Sequence, residues 1–107
     1  MKIDRDNKPI CYDFDGVLHE FKNGWNGNVP TGKPIEDAVW AINLLVERGF
    51  EVIVFTTRKD TKNVESWLNL NGFPKLEVTN KKPNALAYVD DRGVRFTNHQ
   101  DIIKYFI

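Results

Sequence analysis

The sequence predicts an α/β fold of three layers, a mostly parallel sheet of about five strands with helices packed on both faces. Three observations lead there. Short apolar runs alternate with segments of helical periodicity, and strands joined by helical crossovers pair in parallel. The strand runs are apolar at successive positions, as a sheet covered on both faces requires. At 107 residues the chain has the length of one domain, residues 1–107, and is too short for two.

The strands are expected at residues 9–13, 52–55, 76–78, 86–89 and 94–96. Between them, residues 35–48 place Ile35, Val39, Ile42 and Val46 at helical spacing, with Gly49 as a stop signal. Residues 60–71 form a second helical pattern with Val64, Trp67 and Leu68 on one face and Gly72 after it. A third follows Asn98, a good N-cap, with Ile102, Ile103 and Phe106 as its apolar residues. Trp40 and Trp67 both read as core or half-core residues of their helices. Residues 17–34 hold three Gly, two Pro and Trp25, and are long for a strand-to-helix connection. Loops of that kind are more often functional than idle.

Composition narrows the functional classes only a little. A 41% hydrophobic fraction supports a compact core, and 28% charged residues is ordinary for a soluble protein. The formal net charge is zero, so the totals do not point to a nucleic-acid or membrane surface. Cys11, the single cysteine, has no partner for an internal disulfide and reads as a small buried hydrophobe. No apolar stretch of signal length follows Met1, and no window approaches the roughly 18 apolar residues of a membrane span. A cytoplasmic location is the expectation.

In a parallel sheet ligands bind beyond the carboxyl ends of the strands. The residues that end the apolar runs are Asp13 and Asp15, then Thr56, Thr57 and Arg58, and finally Asp90 and Asp91. A D-x-D pair alone says little, as Asp4 and Asp6 show, having no strand before them and no turn glycine after. Asp13 and Asp15 differ: residues 10–12 carry them to a strand end and Gly16 permits a sharp turn. Residues two apart on a strand project the same way, so these two carboxylates should lie side by side. Asp90 and Asp91 would join them, and such a cluster requires a cation or protonation. An all-oxygen, incompletely caged site suits Mg²⁺. Asp60 and Asp101 read as helix caps or solvated acids. Thr56 and Thr57 could hold phosphate oxygens, and Lys81 or Lys82 could neutralise charge among the acids. Arg58 is the candidate for substrate contact, Arg92 for a structural ion pair. Trp25 could stack on a base or sugar or pin its loop, and His19 could reach substrate but reads mainly as a surface or turn residue.

The ordered set "DFDGVL", "VIVFTTR", "KKP" and "LAYVDDR" resembles the haloacid dehalogenase (HAD) superfamily of phosphatases and phosphotransferases, over nearly the whole chain. The resemblance implies a single Rossmann-like domain and a phosphoric monoester hydrolase. Asp13 would be the nucleophile that forms an aspartyl-phosphate. Asp15 would be the general acid and base, its carboxyl kept protonated by its acidic neighbours, and its backbone carbonyl would ligate Mg²⁺. Thr56 would bind the phosphoryl group, and Lys82, with Lys81 as substitute, would pair with nucleophile and phosphate. Asp90 and Asp91 would complete the metal site with Asp13.

Members of that family usually carry a cap domain, whereas residues 17–34 have room for little more than a small flap-like hairpin. The expectation is therefore a capless enzyme with an open site, suited to a phosphorylated metabolite or nucleic-acid end, or closed by a second copy of the chain. In the family's strand order the third and fourth strands flank two others, roughly 14 Å apart. The seven residues between them span at most about 23 Å, so this link must run nearly straight or the third strand must be irregular. Two rivals stand beside this reading. A phosphorylatable receiver domain has similar residue types, but its lysine comes last in the chain. A non-catalytic phosphate- or metal-binding module could keep the fold without the chemistry.

Overall fold

In the computed structural model, which describes residues 8–20, 29–90 and 94–107, β1 (Ile10–Asp13) is the central strand. On one side lie β2 (Val52–Phe55) and then β3 (Glu77–Thr79); on the other lie β4 (Ala87–Asp90) and β5 (Val94–Arg95). All pairings of this five-stranded sheet, ordered β3-β2-β1-β4-β5, are parallel. The expected α/β, Rossmann-like architecture with a five-stranded parallel sheet is present, but the expected third layer is not: among the described residues all three helices pack on one face of the sheet. Each strand lies within a residue or two of its expected position.

The helices are α1 (Ala38–Glu47), α2 (Thr61–Leu70) and α3 (His99–Ile103). Two begin where side-chain chemistry says they should. The Asp60 carboxylate accepts the Lys62 amide at the start of α2, and the Asn98 side-chain oxygen accepts the Asp101 amide at the start of α3. The buried stripe of α2 is the expected one, Val64, Trp67 and Leu68. That of α1 is rotated: Ala38, Ala41, Ile42 and Leu45 are buried, while Trp40 is 45% exposed and Val46 38%. Two alanines let this face approach the sheet closely, at the i, i+3, i+4, i+7 spacing of a core stripe. Trp40 is thus a surface residue rather than a core one.

Buried residues of all three helices share one core with Ile10, Tyr12, Val52, Val54 and Val89, which alternation places on a single face of the sheet. The opposite face carries Cys11, Ile53, Phe55 and Tyr88. Among the described residues its cover is the link 80–86, not a helix: Lys82 Nζ stands 4.6 Å from the Tyr88 ring centroid, and the Tyr88 hydroxyl bonds to the Pro83 carbonyl. This link passes β2 and β1 with seven residues. Its last amide, Leu86, donates to the Pro9 carbonyl.

After β1 the chain turns at once. The amides of Leu18 and His19 both donate to the Phe14 carbonyl, and Gly16 takes φ 82°, a conformation glycine adopts without strain. The two described ends of the 17–34 segment then pair antiparallel: Glu20 N–H donates to Lys33 O and Ile35 N–H to Leu18 O. The rest of the expected hairpin, residues 21–28 with Trp25, lies outside the described residues. No helix among the described residues is long and apolar enough to cross a membrane.

Candidate active site at the ends of β1 and β4

From β1 the chain builds outward to β3, then crosses back to add β4 on β1's other side. The switch point therefore falls between β1 and β4, and the crevice at their carboxyl ends is where a doubly wound sheet takes its ligand. The register Cys11↔Tyr88 and Tyr12↔Val89 carries Asp13 alongside Asp90 there. Both acids fall on the sheet face of Cys11 and Tyr88.

Lys82 completes this group. Its Nζ lies 3.3 Å from Asp90 Oδ2, over the Tyr88 ring and 6.0 Å from the Phe55 ring centroid. Its neighbour Lys81 is exposed and engaged through its backbone, donating N–H to Thr79 Oγ1 and accepting the Thr79 hydroxyl. Of the two candidate lysines, Lys82 is the one at the acids. Cys11, buried beneath, has its thiol pushed up to about 11, first by burial; Lys82 pulls the other way, while Asp13 and Asp90 add to the rise. The fields of all three site residues thus act at one point.

Asp15 belongs to a different group. Its Oδ2 accepts Arg58 Nε–H at 2.9 Å, and its Oδ1 accepts Arg58 Nη2–H at 3.0 Å and faces His19 Nδ1 at 2.9 Å. A planar guanidinium fork on a carboxylate is the strong bidentate form of this contact. Arg58, expected to touch substrate, is only 2% exposed and spends its fork on Asp15. β1 ends at Asp13 and Phe14 opens the turn, so strand alternation does not aim the Asp15 side chain. It was expected among carboxylates, and the partners found for it are Arg58 and His19.

The threonines divide similarly. Thr56 is buried, its amide bonded to the Thr79 carbonyl and its hydroxyl accepting the Arg58 amide, so it shapes the turn that aims Arg58. Thr57 is exposed at the rim and is the threonine open to a ligand. Asp91 and Arg92 lie outside the described residues. Sequence reasoning missed His19, which is 3% exposed and joins Asp15 to Gly32, whose amide donates to His19 Nε2 at 2.8 Å. The only sequence signal was its position four residues beyond Asp15 in a turn-rich segment.

Among the described residues no three His, Cys, Asp or Glu side chains lie close enough to cage a metal ion. Asp13 and Asp90 supply two hard oxygen ligands on one face. That donor set fits Mg²⁺, which binds through one or two carboxylates and fills its remaining positions with water and phosphate oxygens. An open concavity of about 460 Å³ lies elsewhere, beside β5 and α3, lined by Arg95, Thr97, Asp101, Lys104 and Tyr105. Comparison with family models, curated proteins and solved structures finds no match for this chain.

Proposed function

We propose that the chain is a Mg²⁺-dependent phosphoric monoester hydrolase of the HAD type that works through an aspartyl-phosphate on Asp13. The observation that carries this reading is the meeting of Asp13, Asp90 and Lys82 at the β1/β4 switch point. An anionic nucleophile needs cations beside it to approach a dianionic phosphate, and this crevice pairs two carboxylates with an ammonium group. Strand order supports it further: β3-β2-β1-β4-β5 differs from the 2-1-3-4-5 order of receiver-type domains.

In the proposed reaction an Asp13 carboxylate oxygen attacks phosphorus, and the bond from phosphorus to the ester oxygen breaks. Asp15 was expected to hold its proton through acidic neighbours, but its partners are Arg58 and His19, so the proton would sit at the one acceptor position they leave open and pass from there to the departing oxygen. Asp15 then takes a proton from a water molecule whose oxygen attacks the same phosphorus, releasing inorganic phosphate and restoring Asp13. Asp13 and Asp90, with Asp91 next in sequence, would hold Mg²⁺, which supplies charge neutralisation for the phosphate. Lys82 neutralises charge from the other side, Thr57 offers its hydroxyl at the rim, and Thr56 and Arg58 hold the turn and Asp15. Residues 17–34 have room for little more than a flap, and an open site of that kind would suit a phosphorylated nucleic-acid end, a small phosphate ester, or closure by a second copy.

The test is hydrolysis of a panel of phosphate esters, including p-nitrophenyl phosphate and phosphate-ended oligonucleotides, with Mg²⁺ and with chelator. Turnover that needs Mg²⁺ and falls at least about a thousandfold in Asp13→Asn supports the reading. No turnover of any ester, or full activity in Asp13→Asn, overturns it and favours a non-catalytic binding module.

A further inference from the structure

His19 stands at the junction of two groups that nothing in the reaction above connects. One is the Asp15 carboxylate, 2.9 Å from its Nδ1; the other is the returning arm of the 17–34 segment, whose Gly32 amide is 2.8 Å from its Nε2. A backbone amide can only donate, so Nε2 is the bare nitrogen and the ring proton sits on Nδ1. Nδ1–H therefore donates to Asp15 Oδ1. The ring cannot turn away from this pairing. It stacks on Phe14 with centroids 5.0 Å apart and 3° between planes, and meets the Trp67 ring edge-on at 5.1 Å. Trp67 Nε1–H in turn donates to the Gly32 carbonyl at 3.0 Å, so both polar groups of Gly32 are fixed. Gly32 must be glycine for this approach: a Cβ there would collide with the Glu20 carbonyl oxygen and stand 2.9 Å from His19 Nε2.

We propose that His19 is a positioning residue: the Gly32 amide fixes its tautomer, and the resulting Nδ1–H, opposite the Arg58 fork, sets where the Asp15 carboxylate sits. Seating of the described arm that carries Gly32 is thereby coupled to the group that carries the proton. The catalytic part of this proposal rests on the reading of Asp15 as general acid and base; the coupling itself does not. When the arm carrying Gly32 lifts, either ring nitrogen can hold the proton, and the donor to Asp15 is no longer assured.

The test uses the full chain and two substitutions that split the ring in half. In His19→Asn the side-chain amide nitrogen reaches the place of Nδ1 and nothing reaches Gly32. In His19→Gln the amide reaches the place of Nε2 and nothing reaches Asp15. Imidazole nitrogen resonances of the wild-type protein are expected to show Nδ1 protonated and Nε2 bare; the opposite tautomer, or averaging between the two, overturns the proposal without any variant. The Asp15 carboxyl carbon resonance is expected to move in His19→Gln and to stay near its wild-type position in His19→Asn; equal effects of the two variants overturn it. On a phosphate ester, kcat is expected to fall about 10- to 100-fold in His19→Gln with KM little changed, and to be largely rescued in His19→Asn. If the wild-type chain hydrolyses nothing, the functional reading fails while the two resonance measurements still decide the coupling. If it is active and His19→Gln keeps full kcat, the positioning role is refuted.

Discussion

Gly32→Ala measures how tightly the hairpin arm is locked to the body. The added Cβ meets the Glu20 carbonyl oxygen, a backbone atom, so the clash cannot be relieved by a side chain swinging away. Glu20 and Lys33 must separate, which weakens the 2.8 Å bond between them and the 2.8 Å bond from the Gly32 amide to His19. Overpacking of this kind costs about 1–3 kcal/mol. Two weakened hydrogen bonds add about 1 kcal/mol each. The alanine also makes the unfolded chain less free, which returns about 0.4–1 kcal/mol. The net loss is about 2–4.5 kcal/mol, and a domain of this size loses roughly 10–25 °C in Tm. Urea unfolding followed by Trp fluorescence reads it, with the exposed neighbour Thr31→Ala as a control expected within about 0.5 kcal/mol of wild type. A Gly32→Ala protein as stable as that control would mean that the arm does not pack as described.

Three further outcomes follow from buried groups. Cys11 should resist thiol reagents at neutral pH until the protein unfolds, because burial pushes its thiol up to about 11; rapid labelling of the native chain would contradict this. The Tyr12 hydroxyl is buried and has no hydrogen-bond partner among the described residues, so Tyr12→Phe should be neutral or stabilising by up to about 1 kcal/mol, and a loss of that size in a melt would show that the hydroxyl is bonded. His99 is fully buried and its pKa is lowered by that burial, against a smaller upward pull from its bond to the Val17 carbonyl and from Asp37. The folded form therefore binds its proton later than the unfolded chain. Its contribution is fully present above the unfolded value of 6.5 and is lost as pH falls below it. Between about pH 7.5 and 5 the wild type should lose more stability than His99→Gln, and parallel losses would show that His99 is not the group responsible.

How much of this was legible in the sequence depended on the range of the interaction. The strands and helices were readable because their signals are local: the run 52–55, the Asp60 and Asn98 caps, and the glycines after α1 and α2. The Asp13–Asp90 juxtaposition was readable as well, since topology brings strand ends together without any side-chain detail. The face of α1 was not, because Val39 and Val46 compete with Ala38 and Ala41 for the same helical period. Only the close approach of the sheet decides for the alanines. Nor could the pairing of Asp15 with Arg58 be read, as those residues are 43 positions apart and joined by a turn whose direction the strand pattern does not carry. His19 is only four positions from Asp15, but nothing in the sequence showed that Gly32, 13 positions further on, returns to meet it.

The partners of the two acids differ. Asp13 lies alongside Asp90, whose carboxylate pairs with Lys82. Asp15 meets donors that the fold itself supplies. A carboxylate offers about four acceptor positions, and Arg58 and His19 take three of them. One remains for a proton or a substrate oxygen without breaking any bond. A second ligand at Asp15 requires Arg58 or His19 to let go. Arg58 is buried and held at its backbone by Thr56, and His19 is as buried and held by the Gly32 amide, so neither donor can leave Asp15 without breaking a bond of its own.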